Sequence, residues 1–99
     1  MIGVIEDARN EFKVKLTDSL EKEVISFLNT NGGNIYIGVN DKGEITGLNG
    51  NIDLLQRTIK DRIKDNISPS TLGLYDVVVE EIENKKYIKI IVARGSERP

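Results

Sequence analysis

Apolar residues recur along the chain in two periods, and each change of period marks an element. From Glu11 to Leu16, E-F-K-V-K-L places Phe12, Val14 and Leu16 on one side and Glu11, Lys13 and Lys15 on the other, which predicts a strand. Leu20, Val24, Phe27 and Leu28 then follow helical spacing, and Asp18 with Glu21 predicts a capping box at the start of that helix. Ile35, Ile37 and Val39 restore alternation. Gly32-Gly33 sits between the two patterns, where a left-handed helix cap must hand over to a strand. Asn40-Asp41-Lys42-Gly43 predicts a tight turn into a short strand from Glu44 to Leu48, making a hairpin.

Ile52, Leu55, Ile59, Ile63 and Ile67 predict a second amphipathic helix, ending before Ser68-Pro69. Its outer face carries Arg57, Lys60, Arg62 and Lys64 against Asp53, Asp61 and Asp65. Two further strands, Leu72 to Glu83 and Lys86 to Arg94, are expected to join across Asn84-Lys85. The predicted order is β-α-β-β-α-β-β. This is an α+β domain with a mixed or antiparallel sheet and two packed helices.

The 99 residues are enough for one domain, and 38% hydrophobic with 30% charged residues is the balance of an ordinary globular protein. The chain has no cysteine and no histidine, which excludes disulfides, thiolate metal sites and the usual neutral-pH general base. Any metal must be held by carboxylates and carbonyls, a donor set that suits magnesium, manganese or calcium. There is no long apolar run and no signal-peptide pattern, so a cytoplasmic protein without a membrane partner is expected. The net charge of −2 does not favour nucleic acid, but Lys85, Lys86, Lys89, Arg94 and Arg98 cluster late in the chain. The chain stops just after a predicted strand, the expected appearance of one domain from a longer protein.

Glu6, Glu11 and Asp41 are the candidate carboxylates for a divalent cation, which would polarise a phosphoryl oxygen and acidify a bound water. Lys13, on the strand face of Glu11, would then meet a phosphate. Spacing alone leaves the plain alternative open, because E-x-K is common in charged chains and D-K-G is an ordinary turn. Asn29, Thr30 and Asn31 are expected to cap the helix end in preference to contacting a ligand, and Gly38 to serve a close packing contact in preference to a backbone approach to phosphate. Gly32-Gly33 follows a helix and precedes a strand, the reverse of a phosphate-binding P-loop, and G-K-[ST] is absent.

E-D-A-R-N-E-F-K (Glu6 to Lys13), F-L-N-T-N-G-G-N-I-Y-I-G-V-N-D (Phe27 to Asp41), the following G-E-I-T-G-L and the late I-I-V-A-R-G-S-E-R-P together resemble the Schlafen-type AlbA-like domain. The resemblance implies a nucleic-acid-binding fold, often the N-terminal module of longer bacterial and archaeal proteins described as transcriptional regulators or helicase-like ATPases. An older view of the family as a divergent ATPase implies ATP binding, although no Walker lysine is present here. In animal Schlafen proteins a related domain cleaves transfer and ribosomal RNA with two glutamates and an aspartate, which match Glu6, Glu11 and Asp41. Those nucleases join two such lobes in one chain and this chain has one, so a comparable groove implies a homodimer. The leading expectation is a module that binds DNA or RNA through phosphates at Lys13, Lys15, Lys89 and Arg94. The alternatives are a ribonuclease using Glu6, Glu11 and Asp41 with manganese or magnesium, and an ATP-binding accessory domain.

Overall fold

The computed structural model describes residues 2–67 and 75–93. Its elements run β1 (Asn10–Lys13), α1 (Leu20–Leu28), β2 (Gly33–Ile37), α2 (Ile52–Asn66), β3 (Tyr75–Ile82) and β4 (Lys85–Val92). The four strands form one mixed sheet in the order β1-β2-β4-β3, with β1 parallel to β2 and the other pairs antiparallel. Among the described residues no helix is long and apolar enough to cross a membrane.

Both helices pack on one face of this sheet. Leu20, Val24 and Phe27 of α1 and Ile59 and Ile63 of α2 bury against Ile35, Ile37, Val77, Ile88 and Ile90. Each such side chain removed from water stabilises the fold by about 1.5–3 kcal/mol before the entropy of ordering it is counted. The opposite face carries a smaller cluster of Phe12, Tyr36, Val39, Ile45 and Tyr87. Phe12 meets Tyr36 edge to face, with ring centroids 5.5 Å apart. Strand β2 is therefore apolar on both faces, as its central place in the sheet requires.

Gly32 and Gly33 have separate duties. Gly32, at φ +80°, takes the left-handed turn after α1, and its N–H reaches back to the Phe27 carbonyl. Gly33 opens β2 where a Cβ would lie 2.5 Å from the Phe27 ring and 2.8 Å from the Arg9 carbonyl oxygen. Gly38, at φ +103°, ends β2 and packs under Leu48 and Tyr87. The kink there sends Val39 to the opposite face from Ile35 and Ile37.

Several sequence expectations shift with this geometry. The first strand stops at Lys13, because Gly38 and Val39 both donate to the Lys13 carbonyl and leave no partner strand beyond it. Val14 is consequently exposed. The second arm of the expected hairpin, Glu44 to Leu48, is held by a single bridge between Val39 and Ile45 and by Thr46 and Gly47 N–H bonds to Gly38. The Asp18–Glu21 capping box does not form: Ser19 precedes α1 without a side-chain cap, and Arg62 of α2 takes the Glu21 carboxylate at 2.6 and 2.8 Å. The last hairpin turns at Glu83 and Asn84, both at positive φ, one residue earlier than expected. Leu72 to Leu74 and Arg94 lie outside the described residues.

Candidate functional site

The end of β1, the segment before it and the Asn40–Gly43 turn enclose an open cleft of about 380 Å³. Glu6, Glu11, Asp41, Lys13 and Lys15 all line it, with Thr17 and Asn40. Five of the seven residues expected at a site thus meet at one corner of the sheet. The parallel pairing of β1 with β2 puts Glu11 opposite Ile35 and Lys13 opposite Ile37, so both project on the helix side beside α1.

There Lys13 is already engaged. Its Nζ lies 2.6 Å from Glu23 Oε2 and 3.5 Å from Glu11 Oε2, with three-quarters of the side chain out of solvent. The bond to Glu23 holds the Lys13 pKa above the ordinary lysine value, outweighing the opposing effect of burial. Lys15, two residues on, is exposed at the cleft. Glu23 belongs to this network and was not singled out in the sequence. Its pairing crosses from helix to strand, so no local spacing announces it.

Each of the three carboxylates has a different setting. Glu6 accepts the Phe12 N–H at 3.2 Å. Glu11 faces Lys13. Asp41 sits exposed in its turn, and its neighbour does the turn's work: Asn40 Oδ1 accepts the N–H groups of Lys42 and Glu44 at 2.9 and 3.0 Å. The Asp41 side chain is not needed for that local bonding. The all-oxygen donor set suits a hard divalent cation. As placed, however, no three carboxylates among the described residues stand close enough to ligate one ion.

Upstream of β1, Asp7 Oδ1 accepts from the Arg9 N–H at 2.8 Å and from Asn10 Nδ2 at 3.1 Å. The Arg9 backbone bond is the main reason that the Asp7 carboxyl stays below its usual pKa. Arg9 Nη2 reaches the Asn31 carbonyl, tying this segment to the end of α1. Thr30 Oγ1 donates to Ser26 O there, and Asn29 is the C-cap residue, so both serve the helix end.

Lys89 lies elsewhere. It pairs with Tyr36 and Val78 on the face opposite the helices, its Nζ 5.6 Å from the Tyr36 ring centroid. Tyr36 and Tyr87 are both buried beneath this face, and Tyr87 donates to Glu80 at 2.6 Å. Burial raises both phenol pKa values, so neither ring is an acid near neutral pH nor an open stacking platform. Arg94 is outside the described residues.

Comparison with known proteins adds two solved structures and a family. The N-terminal domain of a protein from Nitrosomonas europaea, named as related to the ATP-dependent DNA helicase RecG, is 25% identical with a TM-score of 0.66. The match covers 92% of this chain and 66% of that one. The DIP2311 protein from Corynebacterium diphtheriae is 24% identical with a TM-score of 0.56, over 89% of this chain and 18% of the other, a likeness of fold. The chain thus spans less than two thirds of either solved chain. No curated protein matches it. Residues 6–99 match the family described as Schlafen, AlbA_2. Glu6, Glu11, Lys13 and Asp41 all fall within that span, and the chain belongs to the Schlafen AlbA_2 family.

Proposed function

We propose that this domain is a nucleic-acid-binding module that holds DNA or RNA by its phosphates at the cleft beside β1, with little reading of sequence. The observation that carries the proposal is the placing of Lys13 and Lys15 on one open cleft at the edge of the sheet. Family membership and the likeness to a domain of a helicase-related protein support it. Lys15 has no ion-pair partner among the described residues, whereas Lys13 must exchange Glu23 and Glu11 for phosphate oxygens. Lys89, on the other sheet face, is not part of this contact, and Arg94 enters only on the sequence expectation.

Anisotropy of labelled single- and double-stranded oligonucleotides, titrated with the full chain at several salt concentrations, tests this. Affinity should fall steeply with salt and differ little between sequences. Lys15→Ala should weaken all sequences alike and flatten the log–log salt slope by about one unit. Tight, salt-insensitive binding to one preferred site overturns the proposal.

A second reading is favoured by the cleft's charge. Three carboxylates against two lysines leave it net negative, a balance that a bound cation would offset. Here the domain is a metal-dependent ribonuclease in which Glu6, Glu11 and Asp41 hold magnesium or manganese. That ion would supply charge for a phosphoryl oxygen. Glu6 and Glu11 would first have to leave Phe12 and Lys13. Millimolar manganese should then raise the melting temperature of the native protein and raise that of Asp41→Asn much less. RNA cleavage should vanish in Asp41→Asn and in Glu11→Gln. Equal manganese responses in native and variant proteins remove the second reading and leave the first.

We also propose that two copies associate to complete the groove. The exposed face of α2, where Asp53 and Asp61 are interspersed with Arg57, Lys60 and Lys64, is the surface we assign to that contact. Sedimentation at micromolar concentration should give twice the monomer mass, and a monomer throughout that range refutes it.

A further inference from the structure

A sheet ends in two rows of backbone N–H and C=O groups, and this sheet treats its two edges differently. At the β1 edge, Asn10 exchanges backbone bonds with Asp7 at 3.1 and 3.4 Å, and Glu6 takes the Phe12 N–H. That edge is closed by the chain's own preceding residues. At the β3 edge the closure is partial. The Val77 N–H bonds to Asp76 Oδ1 at 2.9 Å, and its carbonyl accepts from Gln56 of α2 at 2.7 Å, so both point away from β4. Backbone groups of an antiparallel strand alternate in direction from residue to residue, which puts those of Val79 and Glu81 on the same outer side. Among the described residues nothing bonds to them.

Every charged side chain of β3 itself is acidic, with Glu81 standing opposite Lys86 of β4 and Glu80 accepting the Tyr87 hydroxyl. Asp76 and Glu80 project on the face away from the helices, Glu81 projects on the helix side, and Glu83 follows in the turn. Asp76, Glu80, Glu81 and Glu83 are all exposed. A second copy presenting the same edge would set carboxylates against carboxylates. A strand carrying lysine or arginine on both its faces would meet acid on each.

We propose that the outer edge of β3, from Val79 to Ile82, takes up an extended lysine- or arginine-rich segment of a partner protein as a fifth strand. The Val79 and Glu81 backbone groups supply the ladder bonds and the flanking carboxylates select the basic side chains. This surface lies at the far edge of the sheet from the cleft beside β1, so nucleic acid held in that cleft does not compete for it.

The test uses the full chain and a dye-labelled, end-blocked peptide of alternating lysine and valine, followed by anisotropy. Two controls accompany it, a glutamate–valine peptide and a lysine–valine peptide N-methylated at alternate residues. The basic peptide should bind, the acidic one should not, and N-methylation should weaken binding about tenfold by removing ladder donors. Glu81→Pro removes an outward N–H at an exposed edge position, where strands accept proline, and should weaken binding to a similar degree. Amide exchange at Val79 and Glu81 of the native protein should slow when the basic peptide is added, a readout that does not depend on any variant folding. Absence of binding, equal binding of the N-methylated peptide or unchanged exchange at both amides overturns the proposal. It is overturned equally if the chain alone sediments as a dimer that Glu81→Pro dissociates, since a second copy would then own the edge.

Discussion

Replacing Glu23 with glutamine should strengthen nucleic-acid binding while it weakens the fold. Glu23 Oε2 holds Lys13 Nζ at 2.6 Å, and Glu11 adds a second, longer contact at 3.5 Å. Both partners of the short pair keep about a quarter of their side-chain surface in water, so solvent screens the interaction in part and desolvation offsets some of the rest. A pair in that setting contributes about 1 kcal/mol at most. A phosphate that recruits Lys13 must first overcome this competition, and about 1 kcal/mol corresponds to roughly fivefold in affinity. Glu23→Gln keeps the side chain's shape and its capacity to accept from Ser19 but removes the charge that detains Lys13. Affinity for a labelled oligonucleotide at about 50 mM salt should therefore rise by up to about fivefold, and the salt slope should steepen by about one unit as a further phosphate contact forms. The melting temperature should fall by a few degrees, because about 1 kcal/mol shifts a domain of this size by ~4–8 °C. Lys13→Ala in the same assay should lose less affinity than Lys15→Ala. Unchanged binding in Glu23→Gln together with a large loss in Lys13→Ala would refute the idea that the two carboxylates restrain this lysine.

Two further outcomes follow from the core and from the helix–helix contact. Gly33→Ala should destabilise the protein by about 1–3 kcal/mol in urea unfolding, because the added methyl meets the Phe27 ring and the Arg9 carbonyl and neither the ring's packing nor the backbone can yield freely. Arg62 holds the Glu21 carboxyl below the ordinary value of 4.5 through its hydrogen bonds. A depressed carboxyl contributes stability that is complete above the unfolded value and lost as pH falls through the folded one, so this contribution should disappear in mild acid, below about pH 4.5. Glu21→Gln should cost about 1 kcal/mol at neutral pH and nothing at the acid end, and a pH series of melting curves for the two proteins reads the difference directly. Parallel curves at all pH values would assign the acid sensitivity to other groups.

Local pattern was enough to place both helices, the glycine handover and the central strand. Val24, Phe27, Ile59 and Ile63 all bury where their helical spacing put them, and Gly32 takes the left-handed turn expected of it. These features depend on interactions a few residues long, so the order of side chains determines them. The resemblance to Schlafen-type AlbA-like domains rested on local motifs too, and the family match bears it out.

Contacts between distant segments are a different matter. Nothing near Glu21 in the sequence announces Arg62, which displaces the expected capping box, and nothing near Lys13 announces Glu23. The sequence put Lys13 and Lys89 in one candidate set, but strand alternation and pairing order place them on opposite faces of the sheet. Glu6, Glu11 and Asp41 come to one cleft only because β1 lies beside β2 and the turn after Gly38 folds back over it. The sealing of the β1 edge, and the outward backbone groups of β3 that find no partner among the described residues, depend on which strands end outermost. Strand order consists of pairings between segments far apart in the chain, β1 with β2 and β2 with β4, and no short window of sequence contains that choice.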